Sequence, residues 1–113
     1  AVFHCAAGKD RTGILSALLL GVLGVDDAVI AADYGLTEQA MARLVVWARE
    51  HQPELAELYT NMPMRFAAAD PEAMRVILAD INASHGSIEN YTRAIGVTLE
   101  SIDALRGALL SSR

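Results

Sequence analysis

Ten residues near the start of the chain, residues 4–13, decide its fold and read HCAAGKDRTG. Residues 1–4 (AVFH) read as the end of a buried β-strand, and residues 5–11 read as a short loop that contains Gly8. Residues 12–23 have the pattern of a helix that is apolar on every side, which is typical of a helix enclosed by a core. The stretch therefore predicts a strand, a tight loop and a buried helix in succession.

The remainder of the chain reads as helices separated by glycine, proline and capping residues, among them Asp26, Thr37, Asp70, Ser87 and Thr98. The predicted helices cover about residues 26–34, 37–50, 54–59, 70–83, 87–96 and 98–110. After residue 4 no run shows the two-residue alternation of a half-buried strand. We therefore expect a predominantly α-helical chain with one β-strand end that leads into the loop.

Composition limits the class of protein. The chain has 113 residues, of which 53% are hydrophobic, and its net charge is −5. This length allows one domain at most, and the hydrophobic content excludes an ordinary disordered tail. The acidic balance argues against nucleic acid and anionic membranes as partners, because both require a positive field. The most apolar run, residues 14–25, is too short to span a bilayer, so we expect no stable membrane insertion.

The chain contains one cysteine, Cys5. A single cysteine excludes an internal disulfide framework and a cysteine-cluster metal site. A free thiol fits a reducing compartment, so we expect a cytoplasmic location and leave secretion open.

The loop has the features of a site for a phosphate monoester. Backbone N–H groups of a tight loop converge on one anion together with the free N–H groups of the following helix. Gly8 allows the positive φ that such a loop needs, and Gly13 permits close packing of backbone on backbone. The predicted substrate-binding residues are Ala6, Ala7, Gly8, Lys9, Asp10, Arg11 and Thr12.

Four side chains of this stretch have predicted chemical roles. At a helix N-terminus near cations the pKa of the Cys5 thiol can fall to roughly 3.5–7.5, and the resulting thiolate can attack phosphorus. The planar fork of Arg11 can hold two phosphate oxygens and stabilise the transition state. Thr12 can donate a hydrogen bond to the sulfur. His4 can support the loop and the thiolate.

Lys9 and Asp10 permit more than one interpretation. Lys9 is the only lysine of the chain, and its charge could bind a polyphosphorylated headgroup. Equally, Lys9 could neutralise Asp10 or remain in solvent. Asp10 would repel a phosphate unless it is protonated or moves protons.

Residues 4–13 resemble the signature of the cysteine-dependent phosphatases, the protein tyrosine phosphatase superfamily. The core of that signature is a cysteine and an arginine separated by five residues, here Cys5 and Arg11, with His4, Gly8, Thr12 and Gly13 at the flanking positions. Residues 8–13 look like the bacterial tyrosine phosphatases of broad specificity, which act on phosphotyrosine, phosphoserine or phosphothreonine, and phosphoinositides. The similarity continues at residues 24–26, 32–34, 86–91 and 104–107, and residues 51–69 match less well.

The resemblance implies a two-step mechanism without metal or cofactor. Cys5 would form a phosphocysteine that water then hydrolyses, while Arg11 and the backbone amides stabilise the charge. The superfamily commonly takes the proton for the leaving group from an upstream aspartate, so our hypothesis is that Asp10 supplies or shares the acid–base role here. The expected substrate is a phosphorylated protein or phospholipid, and the sequence says nothing about oligomeric state.

The resemblance also implies that the chain is part of an α/β parent domain. Residues 1–113 would be the C-terminal part of a single phosphatase domain, with the strand end and phosphate loop in residues 1–12 and the helical remainder in residues 13–113. Such a piece alone would be marginally stable and inactive. Met62, Met64 and Phe66 would belong to a movable cover over the pocket.

Two alternatives remain open from the sequence. A low-molecular-weight phosphatase or arsenate reductase carries a similar loop near its start, but it needs further strands, and the reductase needs more cysteines. A non-catalytic helical module that binds phospho-ligands or partner proteins would not require the pair of Cys5 and Arg11.

Overall fold

The computed structural model describes residues 1–63 and 68–111, and within these ranges the chain forms seven α-helices. In chain order they are α1 (Asp10–Val22), α2 (Asp27–Gly35), α3 (Thr37–His51), α4 (Pro53–Asn61), α5 (Pro71–His85), α6 (Ile88–Ala94) and α7 (Leu99–Leu109). Each end lies within two residues of the boundary expected from the sequence. The expectation of a predominantly helical chain is confirmed. Over the described ranges, no helix is both long and apolar enough to cross a membrane.

Local capping chemistry explains several of these boundaries. The side chains of Asp70, Ser87 and Thr98 each accept a hydrogen bond from a backbone N–H two or three residues further on, at 3.0 to 3.1 Å. Each bond satisfies a donor that has no partner inside the helix. Gly86 ends α5 with a φ of 83°, a left-handed conformation that favours glycine. These predicted start and stop signals are confirmed.

Two other predicted caps differ from the structure. Thr37 is the first residue of α3, and the preceding Leu36 is itself helical, with φ −62° and ψ −20°. Because α2 and α3 follow each other through Leu36, no extended residue precedes α3 and Thr37 does not cap it. Asp26 occupies the capping position of α2, but its side chain makes no capping hydrogen bond.

The structure does not show the strand end expected at residues 1–4. These residues have no regular secondary structure, and Val2 and Phe3 are 91% and 44% exposed. A strand satisfies its backbone N–H and C=O groups by pairing with a neighbouring strand. The described part of the chain contains no strand to pair with.

The main core forms where α1, α2, α5, α6 and α7 meet. Helix α1 packs on α2 and α6, and α2 packs on α5. The buried side chains of this core are Ala17, Val22, Ile30, Ala31, Met74, Leu78, Ile88 and Ile102. Helices α3 and α4 pack on each other as a hairpin, which buries Met41, Ala48 and Ala56. The core thus holds α1, whose N-terminus follows the loop.

Helix α1 is covered on one side only within the described chain, as expected of a core helix whose sheet lies outside this stretch of sequence. Ala17 and Val22 are buried, whereas Ile14 and Leu15 are 42% and 43% exposed. The radius of gyration is 16.5 Å, compared with about 13 Å for a compact domain of this length. Ile14 and Leu15 are exposed because the described helices pack against only one face of α1.

Arg106 of α7 forms a hydrogen bond with the C-terminal end of α1. The Arg106 Nε atom donates to the Val22 carbonyl oxygen at 2.8 Å, and Arg106 Nη2 donates to Glu89 at 3.4 Å. The last carbonyls of a helix have no partner inside the helix, and a cation there also complements the helix dipole. This contact fixes the end of α1 that lies opposite the loop.

Substitution of Gly21 by alanine is expected to destabilise the fold. A Cβ atom at Gly21 would lie 2.9 Å from Cγ2 and 3.1 Å from Cβ of Ile88, so α1 and α6 would have to separate. Overpacking of this kind costs about 1–3 kcal/mol. Gly107→Ala is the matched control, because a Cβ there meets nothing within 4 Å and should add about 0.5–1 kcal/mol of helix stability. Urea unfolding measures both changes, and a Gly21→Ala variant as stable as Gly107→Ala would contradict the close approach.

Candidate active site

Two local features of the loop before α1 bear on the predicted anion site. Gly8 has a φ of 65°, as predicted, and Lys9 is the residue immediately before the first helical residue, Asp10. Within the described chain no side chain caps the N-terminus of α1. The first backbone N–H groups of the helix therefore remain available to a ligand or to a side chain of the loop.

The Cys5 sulfur lies at this helix start and is surrounded by hydrogen-bond donors. The Thr12 hydroxyl, the Thr12 backbone N–H, and the backbone N–H groups of Lys9 and Gly8 lower the pKa of the Cys5 thiol from 9.0 to about 6, although partial burial acts in the opposite direction. Donors favour the charged form because they stabilise the sulfur anion. A pKa of about 6 favours the thiolate at neutral pH, while the role of Cys5 as nucleophile stays a prediction.

The Thr12 hydroxyl is the largest cause of this lowered pKa. Its Oγ1 atom is buried, and within the described residues no hydrogen bond of ordinary geometry satisfies it. A buried hydroxyl without a partner costs free energy. Thr12 lies beside Cys5, so an anionic sulfur would supply the acceptor that this hydroxyl lacks.

Alkylation by iodoacetamide should report the Cys5 ionisation directly, because the chain has no other cysteine. The thiolate is the reactive form, so the rate should rise with pH and reach half of its maximum near pH 6. In Thr12→Ala this midpoint should move to higher pH, because the largest stabilising donor is gone. Thr60→Ala is the matched control, since the Thr60 hydroxyl donates to the Ala56 carbonyl oxygen in α4. Equal midpoints in Thr12→Ala and Thr60→Ala would contradict this role of Thr12.

Lys9 and Asp10 form an ion pair. The distance from Lys9 Nζ to Asp10 Oδ1 is 2.7 Å, and the two side chains are 5% and 68% exposed. Of the alternatives that the sequence left open for Lys9, the structure shows neutralisation of Asp10 and not a side chain in solvent. The buried ammonium thus has a carboxylate partner within the loop itself.

The roles predicted for Arg11, His4 and Ala6 have no hydrogen bond or ion pair to support them among the described residues. Arg11 and His4 are exposed, and within the described residues neither makes an ion pair or a side-chain hydrogen bond. Ala6 is exposed as well. The grip of Arg11 on phosphate, the support from His4 and binding through the backbone of Ala6 therefore stay predictions.

Gly13 has a neighbour that the sequence did not reveal. A Cβ atom at Gly13 would lie 3.0 Å from Cδ2 and Cε2 of Tyr34. Gly13 thus has a close neighbour, but that neighbour is an aromatic ring of α2 and not the backbone that the sequence analysis expected. The sequence singled out Tyr34 only as half of a family-like pair with Asp33.

Two clefts flank the loop, and Lys9 lines both of them. One has a volume of about 80 Å³ and is lined by residues of α1, α2 and the start of α3, including Thr12, Ser16, Tyr34 and Thr37. The other has a volume of about 140 Å³, is mainly apolar, and is lined by Ala7, Lys9, Asp10, Met41, Val45, Tyr59 and Met62. A wider, shallow depression lies along residues 90–99 and includes no residue of the loop.

The apolar cleft adds residues that sequence reasoning missed. Met41, Val45 and Tyr59 belong to α3 and α4, and they reach the loop only because these helices form a hairpin. Met62 lines this cleft, whereas Met64 and Phe66 lie outside the described residues, so the movable cover stays a prediction. Among the described residues, no three His, Cys, Asp or Glu side chains lie together as metal ligands would.

Comparison with known proteins gives consistent matches over nearly the whole chain. A family described as "Tyrosine phosphatase family" matches residues 1–111. The triple specificity protein phosphatase PtpB of Mycobacterium tuberculosis is 32% identical over 117 residues, which cover 95% of this chain and 42% of PtpB. A tyrosine-protein phosphatase of Nostoc commune is 30% identical over 120 residues, which cover 93% of this chain and 37% of the relative. The chain thus spans about two fifths of the length of these relatives.

Proposed function

Because the chain belongs to the tyrosine phosphatase family, we propose that the protein hydrolyses phosphoric monoesters, with phosphotyrosine as substrate, through a cysteinyl-phosphate intermediate. The observation that carries the proposal is the Cys5 thiol, whose pKa is lowered to about 6 by donors at the start of α1. A thiolate in a ring of N–H groups combines a nucleophile with a site for the charge of the phosphoryl group.

The proposed reaction has two displacements at phosphorus. The Cys5 thiolate attacks the phosphorus atom, the bond from phosphorus to the substrate oxygen breaks, and the departing oxygen takes a proton. Water then attacks the phosphocysteine, the sulfur–phosphorus bond breaks, and inorganic phosphate leaves. Arg11 would hold two phosphate oxygens, and Thr12 would donate to the sulfur as it departs as thiolate.

Phosphate release from p-nitrophenyl phosphate by the complete gene product tests this proposal. Rapid acid quenching during turnover should trap one phosphoryl group on the peptide that contains Cys5. Release of phosphate without a trapped phosphocysteine would contradict the covalent mechanism. Binding of inorganic phosphate without any turnover would favour the non-catalytic module instead.

The substrate range of the proposal extends to phosphoserine, phosphothreonine and phosphoinositides. The name of the Mycobacterium tuberculosis relative describes triple specificity, and residues 8–13 resemble enzymes of that kind. The apolar cleft beside Ala7 and Asp10 suits an aromatic leaving group better than a charged one. Lys9 already has Asp10 as a partner at 2.7 Å, so a further phosphate would have to compete with that carboxylate.

The proposal also concerns the architecture of the protein. We assign residues 1–12 as the loop-bearing part and residues 13–113 as the helical remainder of the C-terminal part of one α/β phosphatase domain. The exposed side chains of Phe3, Ile14 and Leu15 support this assignment, because a further layer of the domain would cover them. The single free thiol fits a cytoplasmic enzyme.

Asp10→Asn tests the proposed acid–base role of Asp10. The substitution removes the group that would protonate the leaving oxygen and later accept a proton from water, so kcat/KM for phenyl phosphate should fall about 100-fold or more. The pH–rate profile should also lose the decrease in rate that deprotonation of Asp10 causes in the unaltered enzyme. Asp80→Asn, at an exposed position of α5, is the matched control. A profile of Asp10→Asn that coincides with that of the unaltered enzyme would assign the proton transfer to another group.

A further inference from the structure

The apolar cleft beside the phosphate loop has the size of one aromatic ring. Its volume is about 140 Å³, and an apolar protein cavity of ~150 Å³ can enclose a benzene molecule. The other cleft at the loop has a volume of about 80 Å³, and its lining includes the polar residues Thr12, Ser16 and Asp33. Of the two clefts described at the loop, the apolar one is therefore the one that suits a ring.

The walls of this cleft come from two separate parts of the chain. Ala7, Lys9 and Asp10 form the side that belongs to the loop and the start of α1, and the hairpin of α3 and α4 forms the other side. Met41 and Val45 lie four residues apart and thus on one face of α3. One wall therefore adjoins the predicted phosphate site, while the other presents apolar side chains.

The structure of the substrate determines which of its parts can reach the cleft. In an aryl phosphate one oxygen atom joins the phosphorus to the ring, so a phosphoryl group at the loop places the ring next to the loop, where the cleft lies. In phosphoserine a methylene group and then the peptide backbone follow that oxygen. An inositol ring would bring hydroxyl groups against apolar side chains, where they lack hydrogen-bond partners. The cleft therefore favours aryl esters over alkyl esters.

We propose that Val45 and Tyr59 are specificity-determining residues: they form the wall that holds the aromatic ring of the phosphate monoester. This inference rests on the proposed function and names its preferred substrate class, the aryl phosphates. Val45 and Tyr59 are half-buried, so each has surface that a bound ring can cover, whereas Met41 is already 93% buried, with 7% exposed. Burial of apolar surface stabilises the bound ester, and contact with the Tyr59 ring adds to this effect.

Binding of phenylphosphonate and methylphosphonate to the complete gene product tests the pocket without any turnover. Both molecules carry the same phosphonate group, whose phosphorus–carbon bond resists displacement, and they differ in the group attached to phosphorus, a ring or a methyl. In titration calorimetry, the unaltered protein should bind phenylphosphonate about tenfold more tightly than methylphosphonate. This ratio of the two dissociation constants is the ring preference.

Two substitutions at position 45 change the pocket in opposite ways. Val45→Phe fills it, so the ring preference should fall below about twofold, and kcat/KM for phenyl phosphate should fall about tenfold. Val45→Ala leaves it open but removes part of its wall, so the preference should fall to about threefold. The matched controls are Val46→Phe and Val46→Ala, because the adjacent Val46 is 56% exposed and is not among the described residues that line the cleft.

Tyr59→Ala removes the aromatic part of the wall and should also reduce the ring preference, to about threefold. Leu58→Ala is its matched control, because Leu58 is the preceding residue of α4, is 57% exposed, and is likewise outside the described lining of the cleft. We expect the three control variants to alanine or phenylalanine at positions 46 and 58 to retain the preference of the unaltered protein.

The outcomes that overturn this inference differ from those that overturn the proposed function. Equal affinities of the unaltered protein for the two phosphonates exclude the pocket, as does a ring preference that persists in Val45→Ala and Tyr59→Ala. These two variants decide the matter if Val45→Phe does not fold. An equal loss of affinity for both phosphonates would mean that the residue supports the loop and does not contact the ring. Full activity of Cys5→Ser overturns the proposed function itself, whatever the ring preference.

Discussion

Cys5→Ser is expected to reduce phosphate release by the complete gene product by about four orders of magnitude or more. The serine hydroxyl is not ionised at neutral pH, whereas the Cys5 thiol has a pKa of about 6 because of the donors at Thr12, Lys9 and Gly8. The loss should appear in kcat with every phosphate monoester, because the nucleophile takes part in each reaction. Steady-state kinetics with p-nitrophenyl phosphate and with a phosphotyrosine peptide measure it.

The same Cys5→Ser variant should keep its fold and its affinity for inorganic phosphate. The backbone N–H groups of the loop and of the start of α1 remain in place, and serine is close to cysteine in size. Circular dichroism and binding of inorganic phosphate therefore serve as controls. A Cys5→Ser variant that retains more than about a hundredth of the activity would show that the thiolate is not the nucleophile.

Arg11→Lys is expected to reduce kcat/KM about 100-fold to 1,000-fold. Lysine preserves the charge but lacks the planar fork that holds two phosphate oxygens at once. The structure leaves the Arg11 side chain exposed and without an ion pair within the described residues, so its guanidinium can turn towards a bound phosphate. The measurement compares kcat/KM for p-nitrophenyl phosphate in Arg11→Lys and in the unaltered protein.

Arg93→Lys is the matched control for this prediction. Arg93 is an exposed arginine of α6 and is distant in sequence from the loop, so its replacement should leave kcat/KM unchanged. Equal rates in the two variants would mean that Arg11 contributes only its charge. Comparison of kcat/KM for Arg11→Lys and Arg11→Ala then separates the contribution of the positive charge from that of the planar guanidinium.

These predictions all depend on the position of one helix end. The start of α1 supplies the donors for Cys5, the ion pair of Lys9 and Asp10, and the contact of Gly13 with Tyr34. Its opposite end is fixed by the bond from Arg106 to the Val22 carbonyl. A change that shifts α1 should therefore alter the ionisation of Cys5 as well as stability.

The sequence by itself determined the local features of this protein. Helix boundaries followed from side chains that cap backbone groups a few residues away, such as Ser87 and Thr98, and from the left-handed glycine at position 86. The lowered pKa of Cys5 could be predicted for the same reason, because its donors at residues 8, 9 and 12 lie within one loop and one helical turn. Interactions over such short separations are encoded in spacing alone.

Only the tertiary structure decided which distant residues meet the loop. The pairing of Lys9 with its neighbour Asp10 was one of several options from the sequence, because spacing does not say whether a lysine side chain turns inward or into solvent. The contact of Tyr34 with Gly13 and the apolar cleft at Met41, Val45 and Tyr59 depend on how α2, α3 and α4 pack. Burial of the exposed face of α1 and formation of a strand at residues 1–4 would likewise require further elements that pack against them. Such contacts arise from the packing of whole elements, and the spacing of residues along the chain does not specify them.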